Sequence, residues 1–349
     1  MLRAKALGNL EEIVGVKPEE WNEDVIKLDG CCFHSYEWSL CSSGRNKAVP
    51  LYFRMRDDTG KTASLGFGLE VVKRLGGLSI YKTLSFGSLP ASADDGALAE
   101  MIKEIISVSR ERKMASLEIN TFGTPIGAEV LRDFGFSLGR RWEFLVDIAM
   151  PEDELWKKIN AKKRNKIRKA QKANIKVIRG AVDTYVQELR RLAVETQKRK
   201  AEQNIVFPVA GESYYQSLKN GLIDRGLGKL YLAYESDKAV AAAFFVAFNH
   251  KVYSMLSSAN ARGLEVAGPD FILWTAMIEY QKEGYNVFNL GGVSEKELNG
   301  QPLEDSGLYQ FKKTFGATVH PCFKGTLILR PKQFKLYSFL KALKSRLAG

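Results

Sequence analysis

Histidine and cysteine are scarce in this 349-residue chain, with three histidines (His34, His250, His320) and four cysteines (Cys31, Cys32, Cys41, Cys322). The cysteines form no C-x-x-C pair, and no histidine stands at metal-ligand spacing from them, so a metal site is not expected. Their clustering fits a reducing compartment better than a disulfide framework. Long apolar runs are missing too. The longest, Ala239–Phe248, has ten residues, against the ~20 that a membrane-spanning helix needs. Its length and aromatic content predict a central buried strand instead. The first ten residues lack the apolar core of a signal peptide, so a cytoplasmic location is expected. No Gly-Lys-Ser/Thr follows Gly76-Gly77-Leu78, which makes that stretch a turn rather than a phosphate loop.

The rest of the composition is ordinary for a globular protein, with 45% hydrophobic and 26% charged residues. The length exceeds the ~250–300 residues at which a single core stops growing, so two domains are expected, at 1–150 and 151–349. The order of predicted elements repeats between them. A strand Ala115–Asn120, a helix of about Ile126–Phe134 closed by Gly135 and a strand Arg141–Ile148 occur in the first half. Asn286–Leu290, a helix Ser306–Phe315 closed by Gly316 and a strand Cys322–Leu329 occur in the second. Long helices precede both sets, at Asp94–Lys113 and from Pro269 to about Glu283. A hairpin turn is read at Asp57–Gly60 and a short helix at Phe33–Ser42. The expected fold class is therefore α/β of the α+β type, a duplicated unit of mixed sheets flanked by helices.

The net charge of +12 is concentrated in one place. Lys157–Arg179 holds eleven lysines and arginines and no acid. A single helix is predicted over 152–173 between the domains, with Glu152, Asp153 and Glu154 at its dipole-favoured N-terminus and Leu155, Ile159, Ile167 and Ala170 as a buried stripe. Such a docked cationic helix suits a phosphate-rich ligand, because Arg binds phosphate oxygens bidentately and Lys acts as a point charge. The C-terminal helix predicted at 331–347 carries Phe334, Tyr337, Phe339 and Leu340 among lysines. It reads as packing on the second domain, with peripheral membrane contact as the rival reading.

Three blocks carry a resemblance. Lys162-Lys-Arg-Asn-Lys-Ile-Arg-Lys-Ala-Gln-Lys172 before Asn174-Ile-Lys-Val177 is similar to the basic helix-then-strand of FemABX proteins, the aminoacyltransferases of peptidoglycan bridges. Gly284-Tyr-Asn-Val-Phe-Asn-Leu-Gly-Gly292 resembles that family's strand ending in a Gly-Gly turn, and Gly307-Leu-Tyr-Gln-Phe-Lys-Lys-Thr-Phe-Gly316 its Leu-Tyr-x-Phe-Lys-x-x-Phe-Gly helix. The likeness spans about residues 30–330. It implies two tandem GNAT-like domains and transfer of an amino acid from aminoacyl-tRNA to an amine of a peptidoglycan precursor. It also implies a substrate-binding and charge-stabilising role for Lys312. Arg164, Arg168, Tyr309, Asn289 and Gly291 are the further substrate-binding candidates. The chain departs from the family at Asn289, where an acid is common, and Ala181–Phe207 is too short for the coiled-coil arm of some members. A monomer is expected.

The inventory suits this chemistry. Aminolysis of an activated ester needs a neutral amine, an oxyanion donor and alignment, and no protein nucleophile or cofactor. Two alternatives remain open from the residues. One is an acyl-CoA or acyl-carrier donor, its pyrophosphate held by Arg262-Gly-Leu-Glu-Val-Ala-Gly-Pro269 before a helix. The other is a non-catalytic tRNA- or RNA-binding protein using the basic helix.

Overall fold

Asp57 closes the first long hairpin, as its turn chemistry predicts. Its Oδ1 accepts from the backbone N–H of Thr59 at 2.9 Å and of Lys61 at 3.0 Å, and Gly60 takes φ +82°. The strands Val49–Arg56 and Thr62–Leu75 consequently run antiparallel. The structure is a computed structural model that describes residues 5–7, 10–75, 78–122, 127–180, 183–202, 205 and 207–347. The chain forms two compact units, residues 1–141 with 321–349, and residues 142–320.

In the first unit the strand order is Lys5–Leu7, Leu10–Ile13, Val49–Arg56, Thr62–Leu75, Leu78–Phe86, Ser116–Asn120 and the C-terminal part of Thr318–Ile328. Leu78–Phe86 and Ser116–Asn120 pair in parallel, joined by the helix Asp95–Glu111. Asp94 caps that helix, its carboxylate accepting from Ala97 N at 2.8 Å. The helix buries Leu98, Met101, Ile102 and Ile105 against Phe53, Leu84, Phe86 and Leu117. The helix read as Ile126–Phe134 is Ala128–Asp133, residue 126 lying outside the described residues, as does the Gly76-Gly77 turn. The helix expected at Phe33–Ser42 is divided. Ser35 adopts an extended conformation and its Oγ accepts from Trp38 N, so a short 3-10 turn (Cys32–His34) precedes a helix at Tyr36–Asn46.

In the second unit the order is the 142–147 part of Ser137–Asp147, then Val287–Ser294, Lys251–Ala259, Lys238–Phe248, Gly228–Glu235 and Lys176–Gly180. Ala239–Val246 is buried throughout, as its apolar run predicts for a central strand. Lys251–Ala259 and Val287–Ser294 are the parallel pair here, joined by the helix Gly268–Lys282 with Pro269 in its first turn. The same topology of a parallel pair spanned by a long helix thus occurs in both units. Asp183–Ala201 is one helix that buries Leu189, Leu192 and Ala193.

Three expectations need correction. The basic segment forms two helices, Glu152–Lys158 and Ala161–Lys172. Ile159 is extended between them, and Asn160 caps the second through Oδ1 to Lys162 N at 2.9 Å. The units do not divide at 150/151, because the chain changes unit at 141/142 and again at 320/321. The C-terminal helix Pro331–Leu347 therefore belongs with the first unit, where Tyr337 stacks on Tyr81 at 4.5 Å.

Candidate active site

The site is built where a parallel pair comes apart. Lys251–Ala259 and Val287–Ser294 pair only from Lys251–Tyr253 to Val287–Asn289. Just beyond, each strand is irregular. The register against Lys238–Phe248 jumps from Ser254 to Leu256, leaving Met255 as a bulge. On the other strand Gly291 takes φ +77°, a conformation that favours glycine. A Cβ at Gly291 would stand 3.4 Å from the Ser254 carbonyl oxygen and 3.8 Å from Lys312 Nζ.

Asn289 fixes this turn. It is buried, its Oδ1 accepts from Gly291 N at 2.8 Å, and its amide donates to the Glu143 carboxylate at 3.0 Å. Glu143 is itself buried and comes from the neighbouring strand. An acid therefore stands beside position 289 even though residue 289 is an amide.

The helix Gly307–Lys313 supplies the cation. Ser306 caps it, Oγ accepting from Tyr309 N at 3.1 Å. Lys312 is 7% exposed, and its Nζ donates to Gly292 O at 3.1 Å and sits 5.0 Å from the centre of the Phe144 ring. Tyr309 packs edge-on against the same ring at 5.7 Å. The structure thus brings Lys312, Tyr309, Asn289 and Gly291 together. Lys312 also lines a cavity of about 420 Å³ with Leu290, Leu308 and Phe311, serines 254, 257 and 258, and Thr196, Arg199, Lys200 and Phe207. Arg199 Nε is buried without a hydrogen-bond partner among the described residues.

The two candidate arginines lie elsewhere. Arg164 Nη1 donates to the carbonyls of Trp156, Lys157 and Ile159, at 3.2, 3.1 and 2.7 Å, and so caps the end of Glu152–Lys158. Arg168 is exposed, bonded to Asn165 and 5.4 Å from the Trp156 ring. Neither lines the cavity. One lysine of the basic helix is not on its surface at all. Lys163 is buried in an ion pair with Asp270 and lies 4.0 Å from the Phe311 ring centre. Burial holds its ammonium below the ordinary lysine range despite that partner.

The 262–269 loop, of which Leu264 and Pro269 line the cavity, is largely bonded within itself. Residues Ala261–Glu265 are helical, and Arg262 is paired with Glu235 and Glu265. The backbone N–H groups of Gly263, Leu264, Val266 and Ala267 are bonded to Asn260, Arg262 and Leu264, and Pro269 has none to offer.

Sequence reading missed Glu143, the Met255 bulge and the cationic rim at Arg199 and Lys200. The first two depend on strand neighbours and register, and the last on where a helix docks. Ser257-Ser258 at the end of an apolar strand was the one available sign.

Residues 225–345 match the FemAB family. The fold is similar to the crystal structure of FemX, with a TM-score of 0.74 at 15% identity over 93% of this chain and 98% of that one. It is also similar to L-PGS from Bacillus licheniformis (0.56, 13%, 91% and 95%). A third likeness is to a tandem GNAT protein from the clavulanic acid biosynthesis pathway (0.52, 10%, 91% and 98%). No curated protein sequence matches the chain.

Proposed function

Residues 225–345 match the FemAB family, and we propose that the chain is an acyltransferase that moves an aminoacyl group, carried as an ester on tRNA, to a primary amine of a peptidoglycan-precursor-type acceptor. The observation that carries the reading is the buried Lys312, placed beside the separated strands and on the wall of the cavity. An aminoacyl ester in that cavity would put its carbonyl near the ammonium.

The neutral amine attacks the ester carbon, and the new C–N bond forms as the carbonyl oxygen takes up negative charge. Lys312 donates to that oxyanion, and the N–H of the Met255 bulge is the proposed second donor. The intermediate collapses by breaking the C–O bond, and the proton lost by the amine passes to the departing ribose oxygen. In a water-poor site such donors are worth more than in solvent. Arg199 and Lys200 on the same wall suit the phosphates next to the ester. The internally bonded 262–269 loop favours this donor over coenzyme A. Exposed cations of the basic helix, Arg168 among them, are the proposed contacts for an anionic acceptor.

The test is transfer to a UDP-linked muramyl peptide, followed by mass spectrometry, with mixed aminoacyl-tRNA or an acyl-CoA set as donor. A product heavier by one aminoacyl residue, formed only with charged tRNA, is expected. Transfer from acyl-CoA alone would move the reading to small-molecule N-acylation. Binding of charged and uncharged tRNA alike, without product, would favour an RNA-binding role.

A further inference from the structure

The C-terminal helix Pro331–Leu347 has two unlike faces. Phe334 and Tyr337 hold it to the first unit, their rings 6.1 and 4.5 Å from that of Tyr81. Leu336, Phe339 and Leu343 recur at the helical spacing of three and four residues, and all three are turned out, at 50%, 66% and 45% exposed. Large apolar side chains aligned along one exposed stripe need a partner, whereas scattered ones do not. The charge carried by this helix is of one sign. Residues 331–347 contain Lys332, Lys335, Lys341, Lys344 and Arg346 and no acid, and the Lys332 and Lys335 side chains are exposed.

We propose that this face of the helix docks on an anionic lipid surface. An apolar stripe among cations is the pattern of helices that lie in the plane of a bilayer interface. The leucines and the phenylalanine enter the headgroup boundary while the lysines meet lipid phosphates. A single short stripe binds weakly and reversibly, so its attachment depends on both the apolar and the cationic parts. No helix among the described residues is long and apolar enough to cross a membrane, and none is required. The inference stands apart from the catalytic reading, since it uses no residue of the candidate site.

The experiment is flotation of the full-length protein with vesicles of phosphatidylcholine alone and of phosphatidylcholine mixed with phosphatidylglycerol, at low and high salt. The protein should bind the phosphatidylglycerol vesicles at low salt and be released by high salt. The pair Phe339→Ser with Leu343→Ser, and separately the pair Lys332→Glu with Lys335→Glu, should each weaken binding about tenfold or more. All four side chains are exposed, so the melting temperature should stay within about 2 °C of the parent, which separates lost docking from lost folding. Absence of binding to either vesicle, or binding that neither variant pair changes, would overturn the proposal. So would a protein dimer in sedimentation velocity that Phe339→Ser dissociates, because the stripe would then be covered by a second copy.

Discussion

The side-chain amide of Asn289 donates to the buried Glu143 carboxylate at 3.0 Å, and its oxygen holds the Gly291 N–H at 2.8 Å. This pair sets the turn whose next carbonyl, that of Gly292, accepts from Lys312. Asn289→Asp would place a second carboxyl against Glu143. Two like charges in a buried site cannot both ionise readily, so one folded-state pKa rises above its unfolded value near 4. The variant should match the parent at low pH. It should lose about 2–3 kcal/mol as pH rises through that raised pKa. Adding Glu143→Gln exchanges donor and acceptor and should recover most of the loss. Thermal melts from pH 4 to 8 check both, and a flat difference across that range would count against the arrangement.

Lys163 and Asp270 form a buried pair between the basic helix and the helix Gly268–Lys282. Lys163→Ala leaves Asp270 buried without its cation, and a loss of about 3–5 kcal/mol is expected. The apolar exchange Lys163→Met with Asp270→Leu should stay within about 2 kcal/mol of the parent or exceed it. A sign follows for pH. The folded-state pKa of Lys163 is lowered by burial, so the unfolded chain binds more protons above that pKa. This group therefore adds stability as pH rises from there toward the ordinary lysine value. Denaturant melts at alkaline pH should show that rise in the parent relative to the apolar double variant.

Arg164 and Arg168 separate a cap from a surface. Arg164→Ala removes a charged donor from three carbonyls and should lower stability by about 1–2 kcal/mol. Arg168→Ala should change stability by less than about 0.5 kcal/mol and instead raise the acceptor KM without changing kcat. Urea melts and steady-state kinetics on both variants distinguish the roles, and the reverse pattern would refute them.

Much of this layout was legible where chemistry is local. Asp57 and Gly60 announced their hairpin, Ala239–Phe248 its buried strand, and Gly135 and Gly316 the helix ends. The blocks at 284–292 and 307–316 brought Asn289, Gly291, Tyr309 and Lys312 to one place, because a strand and a helix close in sequence fold together. Glu143 could not be found this way, since 146 residues separate it from Asn289 and only the sheet makes them neighbours. Asn160 and Ser35 broke two expected helices by capping the second half of each, a local effect that periodicity alone overrode. Arg164 looked like a ligand residue because a carbonyl cap and a phosphate clamp ask for the same side chain. Lys163 falls outside the predicted buried stripe because its counter-ion, Asp270, lies on a helix distant in sequence.

The most direct measurement is the single-turnover rate of transfer from aminoacyl-tRNA in Lys312→Met, with folding checked by circular dichroism. Methionine fills the space and removes the charge. A fall of about 10²–10³-fold with retained tRNA affinity is predicted, the size of effect seen when an oxyanion donor is lost. A rate within about threefold of the parent, less than 1 kcal/mol of barrier, would contradict the assignment of Lys312 to the oxyanion and with it the placing of the chemistry in this cavity.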